Sequence, residues 1–175
     1  LVVLGLAVLN SITLSGSLLQ MINHGVSTSA LFILVGMLNE RINSRQFRDF
    51  GGLWKKMPVF SAFFLFFSMA ALGLPGLNNF VGEILILIGT YRVHPVAAVF
   101  GFAGLLFGVV YVLRMIQDTI FGEFPGEETT LRDLEAREII ILGTLALSVL
   151  FLGLWPEPVL NLFQEPVNAL ISGIS

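Results

Sequence analysis

The chain has 175 residues, of which 55% are hydrophobic and only 12% charged, with a formal net charge of −3. A soluble domain carries about 25% charged residues, so this composition excludes an ordinary soluble globular protein, a disordered chain and a nucleic-acid binder. It contains no cysteine, which excludes disulfides, thiolate metal sites, Cys-ligated iron–sulfur clusters and a Cys nucleophile. Residues 1–39, 57–82, 93–113 and 139–156 carry no charged side chain, the histidines His24 and His94 aside. Long apolar stretches of this kind read as an all-α, polytopic transmembrane helix bundle, here a single domain over residues 1–175.

The opening Leu-Val-Val-Leu-Gly-Leu has no initiating Met and no charged flank, so it does not read as a signal peptide. Residues 1–9 cover about half a bilayer at 1.5 Å per residue and are expected to be the tail of a helix that starts outside the chain. The first complete span is expected at 12–39, ending in the charged cluster Glu40, Arg41, Arg45, Arg48 and Asp49. The next apolar block follows Lys55-Lys56-Met57-Pro58, with Pro58 suited to a first helical turn. It meets the breakers Gly73-Leu74-Pro75-Gly76-Leu77-Asn78-Asn79 and resumes to Tyr91. A span at 95–116 contains Gly101, Gly104 and Gly108, small residues that let helices approach closely in lipid. Residues 117–138 are polar, with Pro125-Gly126 as a turn signal. The last span is expected at 138–155, with Trp155 at interfacial depth. The tail 156–175 has the pattern of an amphipathic surface helix.

Residues 58–92 pose the topological question. One continuous helix of that length would run about 50 Å against a hydrocarbon core of roughly 30 Å, while residues 79–91 alone are too short to cross. The block is therefore one span with a non-helical break at 75–79, or two short spans. The charges favour the first. With one broken span, Arg41, Arg45, Arg48, Lys55, Lys56, Arg114, Arg132 and Arg137 share a side, and Arg92 stands alone on the other. With two spans the division is six against three. The positive-inside rule selects the broken helix, with the 40–57 loop cytoplasmic and the C-terminus outside. Broken helices in membranes line cavities or are buried in protein, and they mark transport sites.

Glu83 is the leading candidate for chemistry. It is the one charged residue between Met57 and Tyr91, about one turn past the break. An acid near mid-membrane must be paired, hydrated or protonated, and a group that exchanges between those states suits a proton carrier. The plainer account is a permanently protonated Glu bonded to a backbone carbonyl that the break sets free. His24 is the second candidate. Thr13, Ser17, Gln20, His24 and Thr28 are spaced by four, three, four and four, which predicts a polar stripe on one helical face. Imidazole can accept and donate a proton. The plainer account is a neutral His bonded between helices.

The remaining polar residues read as structural. Asn78 and Asn79 are placed to cap the restarting helix. Tyr91 and Arg92 look interfacial, and Arg114 and Asp118, four apart at a cytoplasmic helix end, read as paired or solvated. Glu123, Glu127, Glu128, Asp133, Glu135 and Glu138 read as a solvated face or docking surface. Gly51-Gly52 lacks the pattern of a phosphate cradle.

Several runs resemble a known family over nearly the whole chain. These are Gln20-Met21-Ile22-Asn23-His24-Gly25, Ala30-Leu31-Phe32-Ile33-Leu34-Val35-Gly36, Asn39-Glu40-Arg41-Ile42, Gly51-Gly52-Leu53-Trp54 and Leu74-Pro75-Gly76-Leu77-Asn78-Asn79-Phe80-Val81-Gly82-Glu83. They are similar to the proton-pumping chain M of NADH-quinone oxidoreductase, subunit 4 of respiratory complex I. The resemblance implies the last third of a fourteen-helix antiporter-like protein: the end of helix 10, then helices 11 to 14, with helix 12 broken at 75–79. It implies a proton-relay role for Glu83, on the broken helix at the end of a hydrophilic axis, and for His24 on helix 11. The family's other axis residues, a glutamate on helix 5 and lysines on helices 7 and 8, lie outside this chain. It further implies no cofactor on this chain. NADH, FMN, iron–sulfur clusters and quinone are expected in other subunits. The expected partners are other membrane-arm subunits, the lipid bilayer and protons, with no nucleic acid and no metal, in a bacterial inner membrane. A subunit of a multi-subunit cation/proton antiporter and a purely structural membrane subunit are the alternatives.

Overall fold

Ser11–Ile42 (α2) is the rod on which the other elements are assembled; its 32 residues give a length of about 48 Å. The computed structural model describes residues 1–42, 51–122 and 131–174. The expected roles of Arg45, Arg48 and Asp49, of the Pro125-Gly126 turn, and of Glu123, Glu127 and Glu128 fall outside the described residues. Every regular element among the described residues is helical: α1 Val2–Val8, α2, α3 Leu53–Lys56, α4 Pro58–Ala71, α5 Asn78–Val93, α6 Pro95–Ile116, a π-helical turn Gln117–Phe121, α7 Ala136–Leu154 and α8 Glu157–Ile174. Helix α2, the run Pro95–Phe121 and helix α7 are each long and apolar enough to cross a membrane.

Helices α4 and α5, of 14 and 16 residues, are about 21 and 24 Å long, each short of a bilayer core of roughly 30 Å. Their register against α2 shows how they cross. Thr13 of α2 packs on Gly89, Gly16 on Ile86, and Gln20 on Gly82. Asn23 and Ser27 then bond Asn78. Further along, Ala30, Leu34 and Leu38 share an apolar core with Phe60, Phe64 and Phe67 of α4. As α2 advances, its partner recedes from 89 to 60 without reversing. The two short helices thus run in one direction, antiparallel to α2, as a broken span would, and the break lies at residues 72–77, not at the expected 75–79, because Asn78 and Asn79 already belong to α5.

The turn between α1 and α2 has Leu9 in the left-handed region at φ 53°, and Asn10 starts the long helix. The Asn10 side chain accepts from the Thr13 backbone N–H at 2.9 Å and donates to the Gly89 carbonyl of α5 at 3.0 Å. One residue thus caps α2 and fastens it to the broken span.

At the other end, the elements that carry most of the positive charge converge. Arg41 of α2 donates to Glu138 of α7 at 2.6 Å and to the Arg132 carbonyl at 3.0 Å. Asp133 accepts from the Val59 and Phe60 backbone N–H groups, the free donors of the first turn of α4. Glu135 and Glu138 form a capping box for α7. Where a solvated face or docking surface was expected, Asp133 and Glu138 are partly buried and cap and clasp helices, while Glu135 caps α7 and stays exposed. The polar segment after residue 116 begins with the π-turn, whose Phe121 stacks on Trp54 at 6.1 Å. No ion pair joins Arg114 to Asp118 among the described residues.

Helix α7 runs beside α4, from the Arg41 clasp to the break, where Gly153 lies against the backbone of Gly76 and Leu77. Helix α8 then turns back across α2. Its Val167 is buried, while Leu162 and Leu170 face outward. Helix α6 has little of its surface covered: Val96, Phe100, Phe107 and Tyr111 are all exposed, an apolar surface suited to lipid or to other transmembrane helices.

Candidate functional site: an acid beside a broken helix

Helix α4 ends because Gly73 (φ 67°) and Gly76 (φ 92°) adopt left-handed conformations that cost residues with a Cβ about 1–2 kcal/mol, and because Pro75 has no N–H to continue the ladder. The end is closed locally. Ser68, Ala70 and Met69 carbonyls accept from Leu72, Gly73 and Leu74 N–H groups respectively. Helix α5 restarts at Asn78 with Leu77 as its N-cap and without a side-chain cap.

Asn78 and Asn79 therefore do not cap, contrary to the sequence expectation; they stitch the break to its neighbours. Asn78 Nδ2 donates to the Asn23 carbonyl at 2.8 Å, and its Oδ1 accepts from Ser27 at 3.0 Å. Asn79 Nδ2 donates to the Ala70 carbonyl at 2.8 Å, across the break, and to Ser27 Oγ at 3.4 Å. Their side chains are drawn away from the helix start because buried polar groups on α2 and α4 offer partners that would otherwise be orphaned.

Glu83 follows one turn later and is buried, with 7% of its surface exposed. Its Oε1 accepts from Gln20 Nε2 at 3.4 Å, and the same amide nitrogen lies 3.4 Å from Asn79 Oδ1. Its Oε2 lies against Gly73, so closely that a Cβ there would collide with it. The carboxyl thus sits between α2 and the first turned residue of the break. Its bonded partner is the Gln20 amide and not a backbone carbonyl.

The polar stripe expected on α2 divides in the structure. Thr13, Ser17 and Gln20 share a buried face with Asn23 and Ser27, toward the broken span. His24 and Thr28 lie off that face: His24 is exposed, and the Thr28 hydroxyl is 3.3 Å from its Nε2. The cause is helical geometry. From Gln20, steps of three and four lead to Asn23 and Ser27 along one side, while two steps of four lead to His24 and Thr28 along another. Asn23 and Ser27 were not singled out by sequence reasoning, although the spacing of Gln20, Asn23 and Ser27 carries the signal.

Glu83 and His24 nevertheless open onto one space. A cavity of about 600 Å³ has Gln20, His24 and Glu83 on its polar wall. The rest of its lining is apolar and includes Leu4 of α1 and Gly101, Gly104 and Gly108 of α6. A carboxyl and an imidazole lining one cavity can each take up and release a proton, and the amide beside them can both donate and accept hydrogen bonds.

The sequence matches, over residues 1–108, the family described as NADH:quinone oxidoreductase/Mrp antiporter, TM. NADH-quinone oxidoreductase subunit M of Pseudomonas aeruginosa is 47% identical over 169 residues, covering 97% of this chain and 33% of that protein. The solved respiratory complex I from Thermus thermophilus with bound NADH contains a chain with TM-score 0.89 and 28% identity, covering 98% of this chain and 36% of that one. The Mrp complex from Dietzia sp. shares the fold, with TM-score 0.82 at 18% identity, over 95% of this chain and 39% of that one. The chain spans about a third of the length of the curated relatives it matches. With the matched region taking in α1, α2, the broken span and most of α6, the chain belongs to the NADH:quinone oxidoreductase/Mrp antiporter membrane family.

Proposed function

We propose that the chain supplies one end of a proton route in a membrane-arm subunit of NADH-quinone oxidoreductase, with Glu83 and His24 as its relay groups. The observation that carries the reading is Glu83 itself: a buried acid held by one neutral amide, beside a helix break and on the wall of a cavity it shares with His24. An intramembrane acid of that kind is costly to the fold, which makes it a functional-site candidate by default. Proton movement would be driven by electron transfer from NADH to quinone elsewhere in the assembly. In this reading NADH, FMN, iron–sulfur clusters and quinone belong to other subunits, and the partners are other subunits of the membrane arm in a bacterial inner membrane.

The mechanism follows from the electrostatics of a buried carboxyl whose hydrogen-bond partner is a neutral amide. A cation brought near the cavity favours the ionised carboxylate, and its withdrawal favours the protonated acid. Alternation of that charge would load and unload Glu83, and His24 gives the proton a second group on the same wall. The 47% identity to an NADH-quinone oxidoreductase subunit supports this reading over a cation/proton antiporter, for which the likeness is one of fold at 18% identity. The test is Glu83→Gln in the assembled complex in sealed vesicles. NADH oxidation with diminished proton uptake supports the route; undiminished pumping removes Glu83 from it.

A further inference from the structure

Gln20 presents an amide that is used on one side only. Its Nε2 lies 3.4 Å from both Glu83 Oε1 and Asn79 Oδ1, while its Oε1 is buried with no hydrogen-bond partner among the described residues. A buried amide oxygen without a donor is costly, and few native side chains are left so. The side chain is nonetheless tightly placed. Gly82 of α5 lies against it, and a Cβ at position 82 would collide with Gln20 Oε1. His24 is the titratable side chain that shares the cavity wall with Glu83 and Gln20; the α6 wall and the residues Ala71 and Leu72 at the break bring none.

We infer that Gln20 is a positioning residue that bonds Glu83 in both of its proton states by rotating its amide. A carboxylate can only accept, and it takes the Nε2 donor as seen here. A protonated carboxyl has an O–H to donate, and the unpartnered Oε1 is the acceptor that a half-turn of the amide would bring to it. That rotation carries Nε2 away from Asn79 Oδ1. Asn79 is then left with its bond to Ala70, which closes the break, and its bond to Ser27 of α2. The charge state of Glu83 is thereby read by the residue that spans the break. Absence of a side chain at Gly82 leaves the amide room to turn.

The inference rests on the reading of Glu83 as a relay group, and the experiment separates the two. In the assembled complex, the infrared carboxyl band of Glu83 is isolated as the difference from the Glu83→Gln variant. It is recorded across pH in wild type, in Gln20→Met, which keeps the shape and removes both bonds, and in Gln20→Asn, which keeps polarity but withdraws the amide by one methylene. Because a hydrogen bond to a charged group is worth more than one to a neutral group, loss of both shifts the charged-to-neutral ratio of Glu83 at fixed pH by about five-fold. The band moves in frequency in both variants, and the protons pumped per NADH fall while NADH oxidation persists. A wild-type band and titration in whichever variant assembles overturns the inference, because a filler of the same volume would serve as well. Wild-type pumping in Glu83→Gln strikes the relay reading instead. Lost pumping in Glu83→Gln with wild-type pumping in both Gln20 variants strikes this inference alone.

Discussion

Asn23 and Asn78 exchange hydrogen bonds in both directions: Asn23 Nδ2 donates to the Asn78 carbonyl at 2.6 Å, and Asn78 Nδ2 donates to the Asn23 carbonyl at 2.8 Å. Each side chain satisfies the other residue's backbone, so α2 and the restart of α5 are joined by a closed pair. Asn78→Leu leaves the Asn23 carbonyl and the Ser27 hydroxyl without these partners, in a region that excludes water. Each lost bond costs about 0.5–1.5 kcal/mol, since the Asn23 carbonyl stays within the ladder of α2 and Ser27 Oγ keeps the Asn79 donor. The expected outcome is a lower thermal midpoint for the assembled membrane arm and greater proteolysis at the break. Wild-type stability would show that the pair is dispensable.

Gly73 and Gly76 separate backbone strain from contact with the acid. Both have positive φ, but a Cβ at Gly73 would strike Glu83 Oε2, whereas one at Gly76 meets nothing within 4 Å. Each Ala substitution costs about 1–2 kcal/mol of backbone strain. Only Gly73→Ala also displaces the carboxyl, so only it is expected to lower the protons pumped per NADH. Equal pumping by Gly73→Ala and Gly76→Ala would show that the position of the carboxyl against the break has no bearing on transport.

Asp133 holds the first turn of α4 through two backbone N–H groups, at 2.8 and 3.1 Å. Asp133→Ala removes that cap and is expected to cost about 1–2 kcal/mol. Because Asp133 lies at the end of the span remote from Glu83, the loss should appear as stability, read from the thermal midpoint, with pumping per NADH unchanged. An unchanged midpoint would mean that water replaces the carboxylate at no cost.

The broken helix was legible in the sequence because its signals are local or additive: a Gly-Pro-Gly cluster, and positive charges that divide eight to one. Glu83 was legible for a similar reason, as a single acid in an apolar run. The partners were not. Whether Asn79 caps its own helix or reaches Ala70 depends on which buried carbonyl lies nearby, and that is set by the packing of α2, not by residues 78–82. The same holds for Asp133 and Glu138, which look like members of an acidic loop until the chain brings Val59, Phe60 and Arg41 beside them. The stripe on α2 was half legible. A four-residue step and a three-residue step both read as one face, so Gln20 alone did not decide between His24 and Asn23; the groove made by α5 decides it.

Proton release and NADH oxidation measured together in one preparation of sealed vesicles, for Glu83→Gln and Glu83→Asp, test the central reading most directly. A relay acid predicts that Gln, which cannot ionise, lowers the protons moved per NADH while electrons still flow, and that Asp restores part of the ratio. Pumping by the Gln variant at the wild-type ratio would contradict it.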